Sequence, residues 1–360
     1  MDFSINSINI YLYPLIAITP LNKKMKSTLI SINDIARALG ISPSTVSRAL
    51  KDHPDISTET KRIVKEYAEQ VNYRPNALAL SLKRQRSNTL GLIIPEITHH
   101  FFSSVISGIE ELAYAKGYRL IICQSNEDYR REVINTQVLL DNRVDGILIS
   151  ISKNTHDHGH FKDLIDSGIP LVFLDRVSES VETDRVVTAD FEGALIATSH
   201  LIERGCRKIM HLASPAHLHV GRLRKEGYQK ALLNFGIEAR DELIVYCDNR
   251  QEVYQIKDKI LALAPEIDGI FAVNDFTAIA AMQILQENGY KIPDDIAVTG
   301  FGNDPIAGIA CPPLTTVEQR GFEMGRQAVE ILIRRIEDPS TFIDFQTRVI
   351  PVSLEKRAST

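Results

Sequence analysis

Between Ser31 and Leu50 the sequence SINDIARALGISPSTVSRAL gathers hydroxyl side chains around Arg48 at a spacing suited to reading DNA. A short helix starting after Ser42 places Ser44, Thr45, Ser47 and Arg48 on one side and Val46, Ala49 and Leu50 on the other. Small hydroxyls and a guanidinium in the N-terminal half of a helix suit the major groove, where arginine bonds guanine bidentately. The elements that would position them are two short helices and a tight turn. Ser31 caps the first helix, Asp34 puts negative charge in its first turn, and Ile32, Ile35, Ala36 and Leu39 form its apolar face. Gly40 falls where a left-handed C-cap needs no β-carbon. Ser42 caps the second helix and Pro43 takes its first position, where a backbone N–H is not required. A helical hairpin with no role on DNA carries the same turn and caps, so the surrounding chain has to decide.

A chain of 360 residues holds two or three domains at about 150 residues each. With 44% hydrophobic and 24% charged residues, the composition is that of an ordinary globular protein. The net charge of −5 conceals an asymmetry. Between Lys26 and Arg86 there are 11 Lys/Arg and 6 Asp/Glu, a local +5 that leaves the remainder ten charges negative. A basic module on an acidic body fits a phosphate-binding head on a core with another task. Cys123, Cys206, Cys247 and Cys311 are widely spaced and read as buried thiols of a reducing compartment, the cytoplasm. The run His156-Asp157-His158-Gly159-His160 is read as solvated histidines in a polar loop rather than a metal site. No phosphate-binding loop, dinucleotide fingerprint, nucleophile elbow or HExxH pair occurs. Neither an enzymatic role nor a cofactor is expected.

At the N-terminus, Ile8–Ile18 has the length of a signal-peptide core. Its charge order is reversed, with Asp2 before it and Lys23, Lys24 and Lys26 after it, and it is too short to span a bilayer. Translation is expected to start at Met25, and residues 1–27 are read as an extension that is disordered or mis-assigned. Beyond the two helices, Ser57 caps a third with Ile63, Val64, Tyr67, Ala68 and Val71 as its stripe, and the turn Asn72–Asn76 stops it. The segment Ala77–Leu82 is too short to be stable as an isolated helix and suits a hinge that folds against DNA. From Asn88 onward short apolar strands alternate with amphipathic helices in two series that divide near Asp190. Phe102–Lys116, Arg130–Asn142, Phe191–Arg204, Arg222–Phe235, Val253–Leu263 and Asp275–Asn288 are among the expected helices. That alternation predicts two α/β lobes with parallel sheets around a cleft.

DIARALGISPSTVSRAL, ISTETKRIVKEYAEQVNYRPNALALSL and NTLGLIIP resemble, in order and spacing, the LacI/GalR family of bacterial transcription regulators. HHFFSSVISGIEELAYAKGY, VDGILIS, GIPLVFLDRV, HLIERG, GRLRKEGYQKAL, FAVNDFTAIAAM and PPLTTVEQ extend the likeness to about residues 28 to 355. The resemblance implies an all-α helix-turn-helix head (28–75), a hinge (76–87) and a two-lobed periplasmic-binding-protein-like body (88–360). The chain would cross between lobes, giving an N-lobe of about 88–188 plus 318–338 and a C-lobe of about 189–317 plus 339–360. It implies a homodimer on pseudo-palindromic operator DNA. Ser42, Pro43, Ser44, Thr45, Ser47 and Arg48 would face the DNA, with Ser31, Tyr73 and Asn76 beside them and Leu82 wedged into a minor-groove step.

The same resemblance places a small-molecule effector between the lobes, with Phe101, Phe102, Asp175, Arg224, Asn274, Asp275, Asn303 and Gln319 as its candidate contacts. Asn274 is the expected ligand contact of the AVND loop and Asp275 the cap of the next helix. The chain departs from the family at three places. Gly302 stands where an effector-binding aspartate is common, the segment around Asn249 lacks a ring-stacking aromatic, and Leu218 replaces the arginine of purine-binding relatives. A sugar or sugar derivative is therefore the default effector. A sugar-binding protein with the same body and no DNA role is the competing reading; it would carry a cleavable signal and no head.

Overall fold

The computed structural model describes residues 30–73, 86–338 and 344–360, and it divides into two compact units, 1–80 and 81–360. In the first, six small or branched side chains hold three helices together: α1 (Ile32–Leu39), α2 (Pro43–Ala49) and α3 (Thr58–Gln70). Ile35, Ala36, Val46, Ala49, Val64 and Ala68 form its core. Each helix starts where the sequence places a cap. The Ser31 hydroxyl accepts from the Asp34 N–H while Asp34 accepts the Ser31 N–H at 3.0 Å, a reciprocal capping box. Gly40 closes α1 at φ 66°, and Ser42 and Ser57 cap α2 and α3. Ile63, expected in the buried stripe of α3, is 41% exposed. The hinge segment, with Asn76 and Leu82, and the extension 1–27 lie outside the described residues.

The second unit contains two six-stranded sheets. The first comprises β1 (Thr89–Ile94), β2 (Arg119–Gln124), β3 (Gly146–Ile149), β4 (Leu171–Leu174), β5 (Asp184–Thr188) and β11 (Thr347–Ile350), in the order β11-β5-β4-β3-β1-β2. Helices α4 (His100–Ala115), α5 (Tyr129–Asp141) and α6 (Gly159–Asp166) connect its strands. The second sheet comprises β6 (Ile209–Ala213), β7 (Ile244–Tyr246), β8 (Gly269–Ala272), β9 (Ala297–Gly302), β10 (Thr315–Glu318) and β12 (Ser353–Glu355), in the order β12-β10-β9-β8-β6-β7. Its helices are α7 (Asp190–Glu203), α8 (His219–Asn234), α9 (Arg250–Gln255), α10 (Lys257–Leu263), α11 (Asp275–Glu287) and α12 (Pro305–Ile309). All strand pairs are parallel except β10–β12. The apolar inner strands β3, β4 and β8 follow from burial on both faces. Leu90, Leu92 and Ile94 of β1 feed one core layer and Ile93 the opposite one.

The lobes exchange chain three times. After β5 the chain enters the second lobe, and after β10 it returns as α13 (Gly321–Glu337), which packs on the first. The last boundary differs from the expected one. Residues 347–350 pair in parallel with β5 and so belong to the first lobe, where they cover an otherwise open sheet edge; the chain reaches the second lobe only with β12. The helix expected over Val253–Leu263 is two, meeting at Ile256.

The return helix is held by close backbone contact with α4. A β-carbon on Gly108 would lie 2.1 Å from the Phe322 carbonyl oxygen, and one on Gly325 2.1 Å from that of Val105. Neither position has room for a methyl group. Gly108→Ala is expected to force the helices apart and destabilise the body by roughly 1–3 kcal/mol or more, read by chemical denaturation; wild-type stability would show that the contact is looser than described.

Candidate functional site

In the head, α2 presents an exposed polar face. Pro43 and Ser44 are exposed and Thr45 and Ser47 half-buried, while Val46 and Ala49 are fully buried behind them. The Ser42 hydroxyl accepts the Thr45 N–H at 3.1 Å and lies 2.7 Å from the Ser44 hydroxyl and 2.8 Å from that of Thr45, so three hydroxyls form one cluster at the helix start. Arg48 is exposed and carries no ion pair among the described residues. By contrast, Arg37 pairs with Asp34, Arg62 with Glu59 and Glu66, and Lys65 with Asp52. Ser31 is committed to its capping box, its hydroxyl donating to Asp34 at 2.6 Å. Tyr73 packs against the head core, and burial raises its phenol above the ordinary value.

In the body a cavity of about 610 Å³ lies between the lobes, at the carboxyl ends of β1, β4, β6, β8, β9 and β10. Ligands of open α/β sheets bind at this end. The cavity brings together Phe101, Phe102, Asp175, Arg224, Asn274, Asp275 and Gln319. Phe101 and Phe102 meet edge to face, 5.3 Å between centroids, at the start of α4. Gln319 is 6% exposed and its amide makes no hydrogen bond among the described residues, so its capacity faces the cavity. Asn303 is not brought to the cavity. Its amide donates to Glu318 at 2.6 Å and its carbonyl accepts from Arg357 at 2.6 Å, while Gly302, at φ 132°, and Asp304 line the wall.

Arg224 is the most constrained residue of the cleft. Its Nε donates to Asp190 at 2.8 Å, its Nη1 to the Val273 carbonyl at 2.6 Å, and its guanidinium stacks 3.8 Å from the Phe301 centroid. Asp190 is fully buried; burial raises its carboxyl against the opposing pull of Arg224. Asn274 and Asp275 have roles other than those expected. Asn274 is the cap of α11, accepting from the Thr277 N–H at 2.9 Å, and it donates to the Asp248 carbonyl at 2.7 Å. Asp275 accepts from the Thr316 hydroxyl and from the Asp304 N–H, tying the loops after β8 and β9 to β10; burial pushes its carboxyl up to about 6.

Several residues of the cleft were not legible as such. Arg176 donates to both oxygens of Glu127 at 2.7 and 2.9 Å. Across the seam, Lys153 of the first lobe pairs with Asp248 at 3.1 Å and Glu252 at 3.6 Å of the second, and His217 bonds the Lys153 carbonyl oxygen at 2.8 Å. Burial lowers the Lys153 ammonium, but the two carboxylates outweigh it and the net shift is upward. Arg222 and Glu179 form a second bridge across the seam. The histidine run is not the solvated loop expected. His160 is 9% exposed within α6, its Nε2 3.0 Å from the buried Glu132 carboxylate, and His158 lies 2.8 Å from the Ser180 hydroxyl. Among the described residues no three acidic, cysteine or histidine side chains converge on a metal position.

A small helical head whose Arg48 makes no ion pair among the described residues, joined in one chain to a two-lobed body around a polar cleft, defines a ligand-responsive DNA-binding regulator. The comparisons with known proteins agree. Residues 31–76 match the bacterial regulatory proteins of the lacI family, and residues 198–360 match a periplasmic binding protein-like domain. The HTH-type transcriptional repressor PurR of Vibrio atlanticus is 35% identical over 311 residues, 86% of this chain and 92% of the relative. A LacI family transcriptional regulator from Enterococcus faecium, solved with bound ribose, is 30% identical with a TM-score of 0.66, covering 76% of this chain and 98% of that one. The transcriptional regulator CelR–cellobiose complex is 26% identical with a TM-score of 0.71, covering 92% of this chain and all of that one. The chain belongs to the LacI family of bacterial transcriptional regulators. Among the described residues no helix is long and apolar enough to cross a membrane.

The buried pair yields a direct test. Asp190→Ala leaves the Arg224 guanidinium uncompensated and is expected to cost about 3–5 kcal/mol in thermal or urea unfolding; a loss below about 1 kcal/mol would show that Arg224 draws its compensation elsewhere.

Proposed function

We propose that this chain is a cytoplasmic transcriptional repressor that acts as a homodimer on pseudo-palindromic operator DNA. Its affinity for that DNA is set by a small polar effector bound between the lobes, and it performs no catalysis. The observation that carries the reading is the coexistence of a DNA-reading face and a cleft built by both lobes in one chain. Arg48, exposed and unpaired on α2, serves as the base-reading residue, with Ser42, Pro43, Ser44, Thr45 and Ser47 on bases or phosphates around it. Ser31 and Tyr73 shape this surface through the cap of α1 and the head core, and Asn76 and Leu82, outside the described residues, are the further candidate DNA contacts, Leu82 as a minor-groove wedge.

Phe101, Phe102, Asp175, Arg224 and Gln319 form the effector wall, with Asn274 and Asp275 bracing it. A sugar or sugar derivative suits this mixture of aromatic faces and hydrogen-bonding groups. The relatives named above support a repressor, and ribose and cellobiose in the two solved structures support a sugar. Movement of the lobes about such a ligand, with the Lys153–Asp248 pair bridging them, is the two-state element through which binding alters the head.

The test is binding of the purified protein to its own upstream region at fixed salt, titrated with a panel of sugars. One compound is expected to change DNA affinity, and Gln319→Ala to bind DNA normally while needing more of that compound. Arg48→Ala is expected to weaken specific binding by about 5- to 150-fold. If no DNA is held under any condition, the reading of the head fails and a solute-binding role replaces it.

A further inference from the structure

The cleft is short of positive charge at its centre, and the shortage falls on one side chain. Five charged groups meet around Asp175: Glu127, Asp175 and Arg176 from the first lobe, Asp190 and Arg224 from the second; Asp275, also buried in the wall, is instead satisfied by the Thr316 hydroxyl and the Asp304 N–H. Arg176 is taken by Glu127 through two bonds and Arg224 by Asp190 through two more, so two guanidiniums serve three carboxylates. Asp175 is left over. It is 6% exposed, stands at φ 59° immediately after β4, and has one long contact, the Ser150 hydroxyl at 3.4 Å. No ion pair reaches it among the described residues. Lys153, half-buried in the cavity lining, is already shared between Asp248 and Glu252. Arg250, exposed on the cavity lining, lies 5.6 Å over the Tyr254 ring.

An anionic ligand entering this space would meet no free buried cation and one bare carboxylate. A cationic group would complete the charge balance that the chain itself leaves open. Resting on the effector-cleft reading above, we propose that the effector carries a protonated amine and seats it on Asp175, so that the molecule sensed is an amine-bearing polyol rather than an acid or a phosphate ester. The aromatic edges of Phe101 and Phe102 and the free amide of Gln319 then take the uncharged part of the ligand. Without ligand the carboxylate bears the cost of burial. Its pKa is pushed up to about 6 by burial, with Arg176 and Arg224 pulling it down and Asp190 pushing it up; Glu127 and His219 are the other titratable groups nearby.

Two measurements on the full chain test this. In the first, calorimetric titrations at pH 7 use D-glucosamine, D-glucose and D-gluconate, which match in size and differ in charge. Glucosamine is expected to bind at least tenfold more tightly than glucose, gluconate not to bind, and Asp175→Asn to erase the difference between glucosamine and glucose. Equal affinities for glucosamine and glucose, or preference for gluconate, would overturn the proposal. Binding that is unaffected by both Asp175→Asn and Gln319→Ala would instead place the ligand outside the cleft and sink the underlying reading.

The second measurement needs no ligand, and it decides the matter if all three probes fail to bind. A carboxyl whose folded value lies above its unfolded one makes a contribution that is full below about 3.8 and lost as the pH rises to about 6. Asp175→Asn is therefore expected to raise the melting temperature of the body by about 2–4 °C at pH 7.5, with the gain vanishing near pH 4. A lower melting temperature at pH 7.5 would show that the protein already satisfies this carboxylate, leaving no vacancy for an amine.

Discussion

A guanidinium buried in the wall of a polar cleft has to be neutralised and fully bonded, and the second lobe is arranged around doing so. Arg224 lies on the first turns of α8. Its partner Asp190 is the first residue of α7, the carbonyl it bonds belongs to Val273 at the exit of β8, and the ring it stacks on belongs to Phe301 of β9. One side chain thus joins two helices and two strand ends, and the cavity wall takes its shape from that junction. Asp275 repeats the device beside it, bonding Thr316 and the Asp304 N–H and so fixing the loops after β8 and β9. Such buried networks are stiff because breaking one partner strands a charge.

The seam between the lobes is built differently. Lys153 with Asp248 and Glu252, and Arg222 with Glu179, are partly exposed pairs at which two α/β layers meet. Partly exposed pairs are individually weak. A rigid wall on each side and weak bridges between them are what a cleft needs if a ligand worth a few kcal/mol is to shift its opening. The Arg224 junction thus holds the wall of one lobe, and the Lys153 pair lies where the two lobes meet.

The head was legible almost residue by residue because its information is local. A serine cap, a proline at the first helical position and a glycine at φ 66° act within one turn of themselves, and each stands where the sequence places it. The alternation of apolar strands and amphipathic helices likewise fixes two parallel sheets, and strand-end position brought seven of eight effector candidates into one cavity. What escaped was choice of partner. Asp190 reads as an ordinary acid at a helix start, and only the fold places it under Arg224. Asn274 and Asp275 are neighbours of similar size, and which one caps the helix depends on where Thr316 and Asp304 fall. Asn303 turned away because Glu318 and Arg357 claim both ends of its amide. Residues 347–350 joined the first lobe because the β5 edge was open, which no local pattern records.

On the proposed function, the lobe seam, remote in sequence from α2, sets how tightly the head holds DNA. If two arrangements of the lobes differ in DNA affinity, a seam substitution that shifts the balance between them changes operator affinity as well. The direct measurement is the affinity of Lys153→Ala for the upstream DNA in the absence of any effector, at fixed salt and against the wild type. A change of about threefold or more is expected, with the protected DNA sequence unchanged. An affinity identical to wild type, in a variant whose lobes fold normally, would contradict it.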